Sequence, residues 1–174
     1  MVFLYLLNIA LATLGFNYRF KPYYARIVEF QENNNHLLME PHYALSDPEF
    51  EKQFESAVLD PKFFSHEAHL RLAWIHVTKY GVERAAKNIE HQIAQFDRKF
   101  GDGMKFHSTV TLATVKAVAH FVNKSRSCNF KDFMDEFPRL KSNFKDLLNQ
   151  HYSFNVFKSE KARQTFVQPD LLAF

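Results

Sequence analysis

The chain has 174 residues, enough for one domain with an ordinary core. With 20 Phe but only 4 Gly and 6 Pro, it has too few turn formers for a barrel or sandwich of many short strands, so composition favours helices. The formal charge of +3 is small and the basic residues are interleaved with acidic ones, which excludes the basic stripe expected of a nucleic-acid binder. A single cysteine, Cys128, excludes an internal disulfide and any CxxC metal knuckle, and is compatible with a reducing cytoplasm.

The amino-terminal segment differs from the rest. "MVFLYLLNIALATLGF" is apolar but too short for a membrane span, and it lacks the basic start of a secretory signal. The following stretch to Leu38 is basic and aromatic without a steady period, and Met39 then opens "MEPHYALSDPEF", which reads like an ordinary amino terminus. Residues 1–38 are therefore read as an extension, an upstream piece of reading frame, with a weak signal or an interfacial anchor as alternatives. Residues 39–174 are read as the domain, with no transmembrane segment.

From Asp47 onward, helix punctuation is regular. Ser46, Asp47, Pro48 and Glu49 form a start signal ahead of "FEKQFESAVL". A second helix, capped by Ser65, runs to about Tyr80, where Gly81 stops it. A third, about Val82 to Phe100, places Val82, Ala86, Ile89, Ile93, Phe96 and Phe100 at steps of three and four, so one face is buried. Gly101 and Gly103 end it, and a fourth helix is expected from about Phe106 to Asn123. Pro138 interrupts "FKDFMDEF" from a final helix over about Leu140 to Gln150, and the tail contributes one helical turn before an extended end at Pro169. The fold class predicted is an all-α, single-domain bundle of about five helices.

The second helix is apolar nearly all round, as suits the centre of a bundle, yet it opens on His66 and His69. Burial of these two rings would demand hydrogen-bond partners or a ligand. The fourth helix carries His107, Thr111, Thr114, Val118 and Phe121 on one stripe. Short connections favour antiparallel neighbours, which brings His66, His69 and His107 to the same end of the bundle. His151, Tyr152 and Ser153 join them if the helix ending near Gln150 runs the opposite way.

Two chemistries fit such a pocket. Three imidazoles with an open position form a catalytic set for zinc, iron or manganese, with His66, His69 and His107 as ligands and Glu67 or Tyr152 as proton donor or acceptor. That makes a small metal-dependent enzyme acting on a small molecule. Against it, helix amino termini favour anions, and Arg71 and Arg163 add to that field. The alternative is a metal-free pocket in which His107, Thr109, Thr111 and Arg163 hold an anionic small molecule. A third reading is structural: HxxH on a helix also describes two satisfied core histidines. His76, His91 and His120 read as structural or exposed and Trp74 as core. Cys128 sits in a polar loop with no base nearby, and Asp170 is read as a turn or cap within reach of Arg163. "FHSTVT" has the HxTxT pattern of two-histidine phosphoesterases, but only once and on a helix, so that reading is set aside.

"FSHEAHLRLAW", "FHSTVT", "HYSFNVFKSEKAR" and "FVQPDLL" together resemble a group of small, mostly bacterial, all-helical proteins with HxxHLRxAW, YHxTxT, YS and PDL motifs at similar spacing, over about Leu45 to Leu172. The chain departs from that pattern at Phe106, where the group usually has Tyr. The resemblance implies no reaction. It supports the domain boundaries and the choice of residues only.

Overall fold

The computed structural model describes residues 40–174. The expectation for residues 1–38 lies outside the described residues. Among the described residues there is no strand, and eight α-helices follow in order: α1 Asp47–Glu55, α2 His66–Tyr80, α3 Val82–Phe100, α4 Ser108–Val122, α5 Phe130–Glu136, α6 Arg139–Ser142, α7 Phe144–Asn149 and α8 Glu160–Gln164. Among the described residues, no helix is long and apolar enough to cross a membrane.

The caps explain the boundaries. Ser46 and Glu49 form a capping box on α1, the Ser46 N–H donating to Glu49 Oε2 at 2.9 Å. Ser65 Oγ accepts from Ala68 N at the start of α2. Gly81 closes α2 and opens α3 with φ of 78°, a left-handed conformation that glycine adopts without a Cβ penalty. Asn129 and Ser159 cap α5 and α8 in the same manner.

α2 is the central rod, packed against α1, α3, α4, α5 and α6. It buries Ala68, Leu70, Leu72, Ala73, Trp74 and Ile75, as its all-round apolar pattern predicts. α3 returns antiparallel to it: Phe96 lies 5.0 Å, ring to ring, from Phe64 at the start of α2, and Asn88 reaches His76 further along. A small second core of Tyr152, Val156 and Ala162 packs against Val110 and Phe157 and ties the tail to α4.

Three boundaries differ from expectation. α1 ends at Glu55, inside "FEKQFESAVL", with Ser56 as its cap. The final helix is split into α6 and α7 at Asn143, whose φ of −142° takes it out of helical geometry. The fourth helix starts two residues late, because His107 is its cap and not its first turn.

Candidate functional site

The first turns of α2 and α4 and the middle of α3, with Phe144 and Phe157 added from the carboxy-terminal third, enclose a pocket of about 360 Å³. His66, His69, His107 and Thr111 line it together, among apolar groups that include Ile89 and Val115. His66, Phe144 and Phe157 also border a more open depression of about 450 Å³ beside Asn143 and Lys145.

The three rings are held differently. His69 is half-buried, its Nδ1–H donates to the Ser65 carbonyl at 2.7 Å, and its ring stacks on Phe64 with centroids 3.7 Å apart. Burial pushes its pKa down to about 4, against the opposing effect of the Ser65 bond, so it is neutral at pH 7. With Nδ1 as donor, Nε2 carries the lone pair, and no described residue bonds to it.

His66 is exposed, which corrects the expectation of burial, and its Nε2–H donates to the Leu140 carbonyl at 3.1 Å. His107 is buried with both nitrogens engaged. Its Nδ1 accepts from Val110 N at 3.3 Å, capping α4, and its Nε2–H donates to the Val156 carbonyl at 3.1 Å. Desolvation first, and then the nearby Arg163 charge, lower its pKa, which keeps the ring neutral in that double role.

These bonds do not fit the expected zinc, iron or manganese ligand set. His107 has no lone pair left, because the one not carrying a proton already accepts from the α4 backbone. Among the described residues, no group of three or more His, Cys, Asp or Glu side chains is placed to hold a metal ion. His66, His69 and His107 share a pocket without converging on one point of coordination.

The other candidates are engaged elsewhere, and none of them lines the pocket. Glu67, expected as a proton donor or acceptor, is buried, accepts from Tyr43 Oη at 2.6 Å and pairs with Lys141. Arg71, also buried, donates to Asp47 Oδ1 at 2.8 Å and to the carbonyls of His42 and Leu45, holding the segment before α1. Tyr152 donates to the Val167 carbonyl at 3.1 Å within the second core, and burial raises its pKa to about 12. Thr109 donates to the Thr165 carbonyl and accepts from Val167 N, while Arg163 donates to the Met104 carbonyl at 2.9 Å. Asp170 accepts from Ser153 instead of pairing with Arg163. His91 and His120 are exposed.

Sequence reasoning missed Lys105, Phe144 and Phe157 as pocket residues. Lys105 directly precedes "FHSTVT", a signal that could have been followed. The two phenylalanines arrive through the α6–α7 break and the tail, which have no helical period to read. His42 was missed as well, fully buried with Nε2 unpartnered among the described residues, although its position before α1 looks like a loop. No family model matches the chain, and no curated protein or solved structure matches it.

Proposed function

We propose that the pocket between α2, α3 and α4 binds a small, largely apolar organic molecule that carries a hydroxyl or N–H group, and that His69 Nε2 accepts its hydrogen bond. The observation that supports this most directly is an imidazole fixed in one tautomer, with its lone pair unclaimed, in a mostly apolar pocket of ligand size. Thr111 adds a second polar group: its hydroxyl makes no bond to any described residue, although the residue is only 8 % exposed. Apolar walls supply affinity through area, and the two polar atoms supply orientation.

Binding is favoured over proton transfer by basicity. A general base works best with a pKa near the working pH, and an imidazole held at about 4 is a weak base at neutrality but a sound acceptor. The proposal is metal-free, since the donor set of His66, His69 and His107 does not support the metal-dependent reading. As part of it we place the protein in the cytoplasm, on the ground that its single cysteine suits a reducing compartment.

Calorimetric titration of untagged protein with octane-1,3-diol tests the reading. Saturable binding is expected, unaltered by a chelator, and weakened by about tenfold in the near-isosteric His69→Phe. Binding that vanishes with the chelator, or that ignores His69→Phe, overturns it.

A further inference from the structure

The pocket has a chemical asymmetry that its apolar walls obscure. No aspartate or glutamate lines it, while Lys105 does. Lys105 is exposed at the rim and, like Lys99 and Lys145, has no ion pair with any described residue, so its charge is free to meet a ligand. Its backbone is held in place, because the N–H groups of Lys105 and Phe106 both donate to Asp97 Oδ2 at 2.8 Å.

The charges around it must be weighed together. Asp97 is the nearest acid by connection, but its carboxylate is buried and takes up those two N–H groups. Arg163 reaches the same loop at the Met104 carbonyl, and Glu160 lies 3.8 Å from that guanidinium. Asp102, in the same loop, accepts from Met104 N, so each of these acids is already engaged and none lines the pocket. Lys105 is the only lysine, arginine, aspartate or glutamate among the lining residues. With one cationic side chain among apolar walls, the pocket matches a singly charged carboxylate better than a doubly charged phosphate, whose second charge would find no partner.

We infer that the ligand is an apolar organic acid, and that its carboxylate pairs with Lys105 at the rim while its hydroxyl or N–H donates to His69 within. This inference rests on the small-molecule reading of the pocket given above. Lys105 would then determine specificity for acids over neutral analogues, and His69 would determine orientation. The pairing is at the protein surface, so it also predicts that added salt narrows the preference.

The test compares two probes with the same eight carbons and the same inner hydroxyl, 3-hydroxyoctanoate and octane-1,3-diol, titrated into the wild-type protein and into Lys105→Gln and Lys105→Arg. The acid is expected to bind about tenfold tighter than the diol in the wild type. Lys105→Gln should remove that preference by weakening the acid relative to the diol, and Lys105→Arg should keep it. Equal affinities in the wild type, or a preference that survives Lys105→Gln, overturns the inference while the pocket reading stands. Failure of both probes to bind overturns the pocket reading and the inference with it.

Discussion

His107 satisfies two backbone groups far apart in the chain, the N–H of Val110 and the carbonyl of Val156, with one neutral ring. Removing it leaves a helix start uncapped and a buried carbonyl without its donor, so His107→Ala should cost about 2 kcal/mol of stability in urea denaturation. His107→Asn separates the two roles. Asparagine caps well but is too short to span to Val156, so it should recover about half of the loss. Equal losses in the two variants would show that capping contributes nothing. The sequence placed this residue on the inward stripe of its helix, but it did not show that the lone pair was taken. A carbonyl 49 residues away leaves no trace in local spacing.

The loop between α3 and α4 holds the pocket rim, and it depends on the packing of one carboxylate against one glycine. A Cβ on Gly101 would meet Asp97 Oδ1 at 2.3 Å and the Asp97 carbonyl at 2.9 Å. Gly101→Ala must therefore displace the side chain that pins Lys105 and Phe106, with an expected cost of about 1 to 3 kcal/mol and a weaker grip on any pocket ligand. In an Asp97→Ala background the same change should cost less, because only the carbonyl contact remains. Additive losses across that double-mutant cycle would remove the claimed coupling. Helices with strong punctuation were legible, since Ser46, Ser65, Gly81 and Gly101 act through local chemistry. The segment from Pro138 to the end was legible only in part: the single turn of α8 was expected, but the break at Asn143 and the attachments of the tail were not. Its pieces are too short for a period, and they are held by long-range bonds such as Tyr152 to Val167, Thr109 to Thr165 and Ser153 to Asp170. Several residues singled out by motif are the partners in this clasp, so their spacing reflects how the tail is fastened to α4.

Acid stability is a property of the whole molecule, because histidines with depressed pKa values are distributed across it. His42 and His69 are lowered to about 4, and burial also lowers His76 and His107. A group whose pKa falls on folding contributes fully above its unfolded value, near 6.5, and loses that contribution as the pH drops towards its folded value. Stability should therefore decline from pH 7 to pH 5, before most carboxylates begin to protonate. His42 is the cleanest test, since it is fully buried, and its Nε2 lies 4.0 Å from the nearest Glu67 oxygen, beyond hydrogen-bond reach. Desolvation and the Arg71 charge both oppose its protonation, and Glu67 only partly offsets them. Between pH 7 and pH 5 this residue alone should account for roughly 2 kcal/mol. His42→Phe fits a site already surrounded by the rings of Tyr43, Phe50 and Phe130, and the carbonyl that accepts from Arg71 is retained. Its urea midpoint should change less over that interval than the wild-type midpoint. Parallel curves would mean that His42 takes up its proton in the folded state as readily as in the unfolded chain, and that the acid loss arises from the other histidines.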